Sequence, residues 1–113
     1  MCIRDSSCTP QRLKRFNLEN EFKNLQELAL KAAKEAIIET GLNNNIKIAG
    51  CFSPLPGSYF KDKSISKKEM IETYLSIADL QKDDVDFFII ETMSSIDEAV
   101  NAVEALSNLI RKF

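Results

Sequence analysis

The chain has 113 residues, a formal net charge of −2 and no histidine, and 44% of its residues are hydrophobic. This length fits one small domain rather than two, and the apolar content excludes a disordered chain. The charge gives no electrostatic reason to expect nucleic acid as a partner, and no apolar run approaches the roughly 20 residues that span a bilayer. Because no signal-peptide core follows the start, we expect a cytoplasmic protein that binds neither nucleic acid nor membrane.

The first residues differ in character from the rest of the chain. Residues 1–6 have no helical or strand period and resemble a translated sequencing-adapter scar. We therefore expect them to be a non-native leader and the domain to occupy residues 7–113. A short basic cluster lies next to them at Arg12, Lys14 and Arg15, which we interpret as the solvated start of a helix rather than a phosphate site.

The first half of the chain predicts a helix, a strand and a loop. A helical period runs from Asn20 to Thr40, and Gly41 is a typical residue to end it. Ile46 to Cys51 is rich in β-branched residues and predicts a strand, and residues 52–65 predict a long loop of the kind that is often functional. The apolar positions of the predicted helix are Phe22, Leu25, Leu28, Ala29, Ala32, Ala36 and Ile37.

The second half predicts a helix, a strand and a helix. Capping boxes at residues 66–69 and 95–98 begin the two helices. The apolar run from Val85 to Ile90 predicts a strand that is buried on both faces. The predicted apolar faces comprise Met70, Ile71, Tyr74, Leu75, Ile77 and Ala78 in one helix, and Ala99, Val100, Val103, Leu106 and Ile110 in the other.

The element order is therefore helix, strand, helix, strand, helix, which predicts an α/β fold with two parallel strands. A buried two-stranded parallel sheet needs neighbours at its open edges. We accordingly interpret the chain as a slice of a larger sheet.

Ligands of parallel α/β folds bind beyond the carboxyl ends of the strands. Glu91 directly follows the second strand, so its carboxylate is expected at that edge. Burial of a carboxylate requires a partner. Either a cationic group of a ligand, or a basic residue of a neighbouring strand or the next helix N-terminus, satisfies that requirement.

Other reactive residue types give weaker signals. Without histidine, Ser94 and Ser95 lack a base that would activate them, and capping accounts for Ser95. Tyr59 and Tyr74 are interpreted as packing residues. Zinc requires three or four protein ligands, whereas the chain has three cysteines and no CxxC motif, so we expect no metal site and a buried Cys51. The acidic turn at residues 83–86 precedes the second strand and is interpreted as solvated.

Three segments in order resemble the homocysteine S-methyltransferase family. Residues 48–59, IAGCFSPLPGSY, are similar to the family's third strand and the loop after it. Residues 85–99, with Glu91-Thr92-Met93, look like its fourth strand and Glu-Thr-Met signature. Residues 8–22 resemble the segment after the second strand. The resemblance runs from about residue 7 to the end and implies an internal fragment, about three of the eight units of a (β/α)8 barrel.

The resemblance also implies a function. In the family, a zinc ion held by three cysteine thiolates activates the thiol of homocysteine, which accepts a methyl group from a donor such as S-methylmethionine or S-adenosylmethionine to form methionine. Glu91, with Thr92 and Met93, corresponds to the substrate-binding segment, and Glu91 to the contact with the amino group. The family's zinc cysteines follow later strands and do not correspond to Cys51, so we expect no catalytic residue here and an isolated chain that is inactive.

Two other hypotheses stay open. A small α/β module would use the loop after Gly50 together with Glu91 to bind a ligand without catalysis. A flavodoxin-like domain would have the same alternation of strands and helices.

Overall fold

The computed structural model describes residues 8–42, 44–56 and 64–111. Within these ranges the chain is an α/β structure with four α-helices and two strands, and it confirms the predicted alternation. The α-helices and strands are α1 (Pro10–Leu13), α2 (Phe22–Thr40), β1 (Ala49–Phe52), α3 (Lys67–Gln81), β2 (Phe87–Ile90) and α4 (Ile96–Arg111). Two short 3₁₀ helices, Lys14–Phe16 and Glu19–Glu21, join α1 to α2.

The signals at the element ends have clear physical causes. Thr9 caps α1 by accepting from the Arg12 amide, and Pro10 occupies the first turn, where its missing N–H is not needed. Gly41 ends α2 as predicted, in the left-handed conformation with φ of 68°. Ser66 and Ser95 accept from the amides of Glu69 and Glu98 at 3.1 and 3.2 Å, which confirms the serine half of both predicted capping boxes.

The two strands are parallel, as predicted, but each is shorter than expected. Ala49 pairs with Phe87 and Phe52 with Ile90. Just before the paired region, Ile48 and Asp86 exchange two hydrogen bonds: the Asp86 amide donates to the Ile48 carbonyl at 2.8 Å, and the Asp86 carboxylate accepts from the Ile48 amide at 2.7 Å. The acidic turn therefore bonds to the chain at the amino ends of the strands, and Asp84 also forms an ion pair with Lys34.

The prediction that the second strand is buried on both faces is wrong for this chain. Phe87 and Ile89 are 47% and 43% exposed, whereas Phe88 and Ile90 pack against the core. Side chains alternate between the faces of a strand, and in the part of the chain that the structure describes, α3 and α4 cover only one face. We call the opposite face, which carries Phe87 and Ile89, the uncovered face.

The core lies between the sheet and the helices α3 and α4. Tyr74 of α3 is fully buried and stacks on Phe52 of β1, with ring centroids 5.0 Å apart. Its burial agrees with the predicted packing role, whereas Tyr59 lies outside the described residues. The buried core residues are Phe52, Leu55, Ile65, Tyr74, Ile77, Ala78, Ala102, Ala105 and Leu109.

The predicted apolar faces of α2 and α4 are wrong in part. In α2 the buried residues are Gln26 and Leu30, and the predicted Leu28 is 52% exposed. Gln26 faces inward because its amide bonds to that of Gln81 in α3, at 2.7 Å. The predicted core positions Ala32 and Ala36 are likewise not buried.

In α4 the small residues Ala102 and Ala105 face α3, which lets the two helices pack closely. The predicted apolar positions Val100, Val103 and Ile110 are instead 55%, 53% and 72% exposed. A pattern that is apolar on two sides does not by itself decide which side is buried. None of the helices in the described ranges has both the length and the apolar character needed to cross a membrane.

Candidate active site at the carboxyl ends of the strands

The candidate site lies where both strands end. Glu91 follows β2, and its amide donates to the carbonyl of Phe52 at 3.0 Å, which extends the strand pairing by one bond. Alternation of side chains places Glu91 on the same side as Phe87 and Ile89, the uncovered face. The residue is half-buried at the carboxyl end of the sheet, in the position that the sequence predicted.

The partner of this carboxylate is one that the sequence did not indicate. The Cys51 thiol donates to Glu91 Oε1 at a distance of 2.9 Å. Strand register explains the contact, because Cys51 pairs with Ile89 and thus shares a face with Glu91 two residues further on. The prediction of a buried Cys51 is wrong, since the residue is only half-buried.

The two residues after Glu91 behave differently. Thr92 is exposed and has a φ of 52°, a left-handed conformation that a β-branched residue rarely adopts. Such a conformation costs about 1–3 kcal/mol and is found where the surroundings enforce it. Met93 is half-buried, and its sulfur accepts from the Tyr74 hydroxyl at 3.6 Å. The structure therefore brings Glu91 to Cys51 and Met93 to Tyr74, and leaves Thr92 at the surface.

The loop that follows β1 is buried over residues 53–56, and we call these four residues the anchored loop. Pro54 and Pro56 have no N–H, so this segment cannot continue the sheet. Its buried carbonyls need other donors. Each of the four accepts from a side chain: Ser53 from Tyr74 at 3.0 Å, Pro54 from Arg12 at 3.0 Å, Leu55 from Thr9 at 2.9 Å and Pro56 from Arg15 at 2.6 Å.

The interpretation of the basic cluster as solvated is therefore wrong for Arg12, which is half-buried, whereas Arg15 is exposed although it donates to the Pro56 carbonyl. The pKa of Arg12 is lowered by burial and by the neighbouring charge of Arg15, while the Glu98 carboxylate acts in the opposite direction. Glu98 itself is 3% exposed and accepts from the Leu55 amide at 3.0 Å. This carboxylate thus holds the loop, a role that its place in a capping box did not reveal. The two prolines were the signal that could have pointed to such anchors.

Tyr74 links the anchored loop to the segment that follows β2. Its hydroxyl contacts both the Ser53 carbonyl and the Met93 sulfur. Burial raises the pKa of Tyr74 well above its ordinary value, and the nearby Glu98 adds to this effect. The hydroxyl therefore stays protonated at neutral pH and acts as a hydrogen-bond donor.

A buried chain of amides supports β1 from behind. The Cys51 amide donates to Gln81 Oε1 at 3.3 Å, Gln81 donates to Gln26 at 2.7 Å, and Gln26 donates to the Cys8 carbonyl at 3.3 Å. Gln26 and Gln81 are 1% and 0% exposed. Glutamine in a helical pattern is usually solvated, so this network could hardly be anticipated from the sequence. It fixes the backbone beneath the Cys51 thiol.

The donor set at this edge does not fit a zinc ion. A catalytic zinc site uses three protein ligands. No group of three histidine, cysteine, aspartate or glutamate side chains is close enough to hold a metal among the residues that the structure describes. Cys51 and Glu91 bond to one another, which is an arrangement for holding a carboxylate in place.

Comparisons with known proteins identify the family. The family model described as homocysteine S-methyltransferase matches residues 7–112, which is nearly the whole chain. No curated protein and no solved structure matches. The match spans both strands and the segment with Glu91. The chain therefore belongs to the homocysteine S-methyltransferase family, which is a family of methyltransferases.

Proposed function

We propose that this chain forms the substrate-recognition part of an enzyme that transfers a methyl group to the thiol of L-homocysteine and produces methionine. One observation carries the proposal: the Glu91 carboxylate stands at the carboxyl end of β2, on the uncovered face, and is held there by Cys51. Parallel sheets bind ligands at this edge. A carboxylate at this position suits the ammonium group of an amino acid.

In this proposal Glu91 binds the ammonium of homocysteine, and Thr92 and Met93 complete the substrate-binding segment. The anchored loop forms the adjacent wall. Because its four carbonyls already have side-chain donors, it keeps one shape when the substrate arrives. Such preorganisation reduces the loss of conformational freedom on binding.

We further propose that the two strands belong to a (β/α)8 barrel, in which other strands cover Phe87 and Ile89. The exposure of these apolar side chains supports this, because an isolated sheet face of this kind is unfavourable in water. The zinc ion that the family resemblance implies is then held by segments outside the 113 residues. When bound, zinc would lower the pKa of the homocysteine thiol, so that the reactive thiolate forms at neutral pH.

The methyl donor in this proposal is a small activated molecule such as S-methylmethionine or S-adenosylmethionine, and the location is the cytoplasm. Residues 7–113 form the barrel segment, and residues 1–6 remain a proposed non-native leader. Within the chain itself, Glu91 contributes by holding the substrate's ammonium, so it affects binding rather than the bond-making step.

The test of the proposal is Glu91→Gln in the full-length protein that carries this chain. A hydrogen bond to a charged group contributes about 1.5–3 kcal/mol, so we expect the KM for L-homocysteine to rise by roughly 10- to 100-fold. We expect kcat to change little, since the contact is made equally before and during reaction. The matched control is Glu39→Gln on the exposed surface of α2.

An unchanged KM in Glu91→Gln would contradict the substrate role. Binding of homocysteine without methyl transfer by the full-length protein would favour the non-catalytic binding module. Zinc titration of the 113-residue chain provides a separate check, for which we expect no tight stoichiometric site. A tight site would show that the account of the cysteines is wrong.

A further inference from the structure

The contact between Cys51 and Glu91 raises a question about how the carboxylate is held. Both residues are fixed at the backbone: the Cys51 amide bonds to Gln81, and the Glu91 amide to Phe52. The side chain of a glutamate still has several rotatable bonds, and ordering such a long side chain on binding loses conformational entropy. The thiol, 2.9 Å from Oε1, restrains this freedom before any ligand arrives.

The chemistry of the donor matters as much as its position. A thiol is a weak, neutral donor. It orients a carboxylate but leaves the negative charge in place. An arginine or lysine at position 51 would also orient Glu91, but it would neutralise the charge that a ligand ammonium requires. A neutral donor on the same sheet face is therefore suited to a site for a cation.

We infer that Cys51 is a positioning residue, which holds the Glu91 carboxylate in the orientation that receives the substrate's ammonium group. This inference rests on the proposed function of Glu91. It assigns the thiol a role in substrate selectivity, favouring amino acids over the same thiols without an amino group, and it involves neither metal binding nor covalent chemistry at Cys51.

The test is a double-mutant cycle in the full-length protein with Cys51→Ala, Cys51→Ser and Glu91→Gln. Each variant is assayed for the kcat and KM of L-homocysteine. It is also assayed for inhibition by 4-mercaptobutanoate, which keeps the thiol and carboxylate of homocysteine and lacks the ammonium. The serine variant retains a hydroxyl donor in the same place, and circular dichroism verifies that every variant is folded.

We expect Cys51→Ala to raise the KM for L-homocysteine roughly five-fold, which corresponds to about 1 kcal/mol of lost binding free energy. Its kcat and its inhibition by 4-mercaptobutanoate should stay within about two-fold of the unmodified protein, and Cys51→Ser should restore most of the KM. In the Glu91→Gln background the alanine substitution should have no further effect, since the group that it positions has lost its charge.

Two results overturn the inference while leaving the proposed function intact. One is a large effect of Glu91→Gln on KM with no effect of Cys51→Ala. The other is an effect of Cys51→Ala that adds fully to that of Glu91→Gln or is equal for both ligands, as a general structural role would produce. If Glu91→Gln itself leaves KM unchanged, the proposed function fails, and the positioning role fails with it.

Discussion

Gly50 offers a sharp test of how tightly the sheet packs behind the candidate site. A Cβ atom at this position would lie 2.6 Å from Cδ1 and Cε1 of Phe88 and 2.7 Å from Oε1 of Gln81. Neither neighbour moves easily, because Phe88 packs on Phe52 and the buried Gln81 amide is held by hydrogen bonds to Gln26 and to the Cys51 amide. The substitution Gly50→Ala therefore forces a shift in the core.

The expected magnitude has three contributions. Overpacking of this kind costs about 1–3 kcal/mol, and a disturbed hydrogen bond between Gln81 and the Cys51 amide costs about 1 kcal/mol more. The smaller conformational entropy of alanine in the unfolded chain offsets about 0.4–1 kcal/mol. We expect Gly50→Ala to lower the free energy of unfolding by about 2 kcal/mol.

The assay is urea unfolding followed by circular dichroism at two protein concentrations, so that self-association is detected. Gly41→Ala is the matched control. Its Cβ meets nothing within 4 Å, and only its φ of 68° opposes the substitution. Adding Phe88→Leu to Gly50→Ala should restore part of the lost free energy of unfolding, whereas adding it to Gly41→Ala should restore none. If Gly50→Ala is as stable as the unmodified chain, the reasoning about a rigid contact is refuted.

Three further predictions concern burial and exposure. Tyr74 has a pKa raised by burial, so stability that is present below the ordinary value of 10.0 should fall as pH rises above it. Tyr74→Phe should flatten this alkaline decline in unfolding midpoints measured between about pH 8 and 11, and an equal slope in Tyr74→Phe and the unmodified chain would contradict the prediction. Gln26→Ala and Gln81→Ala should each lower the unfolding free energy by about 1–3 kcal/mol, because each breaks the hydrogen bond between these two buried amides. A double substitution to leucine should cost less than the sum of the two, and strict additivity would argue against a direct pair. The isolated chain should self-associate through its uncovered face, as measured by analytical ultracentrifugation, and Ile89→Lys should reduce this association. If the unmodified chain is instead a monomer that melts cooperatively, the interpretation of the chain as a slice of a larger sheet is wrong.

The sequence alone predicted much of the architecture because local signals were strong. The serines at 66 and 95 and the glycine at 41 set helix ends through hydrogen bonds and backbone conformation that need only neighbouring residues. The apolar run ending at Ile90 predicted a parallel strand, and its end predicted the place of Glu91. Each of these features depends on residues that are close in the sequence, so the sequence pattern is sufficient to predict it.

The choice among faces and partners lay beyond such local signals. In α4, valines and alanines are both compatible with a core, and the alanines are buried because only small residues allow the close approach of α3. The tertiary structure likewise decided the contacts between residues far apart in the chain, such as Arg12 with the Pro54 carbonyl and Cys51 with Glu91.

The family and the position of Glu91 were thus determined by the sequence, because motifs and strand ends are local features. The register of β1 against β2 and the packing of α1 and α4 around the anchored loop were decided only by the tertiary structure. A hydrogen bond across 40 residues depends on where both segments lie in space, and neither segment encodes the position of the other.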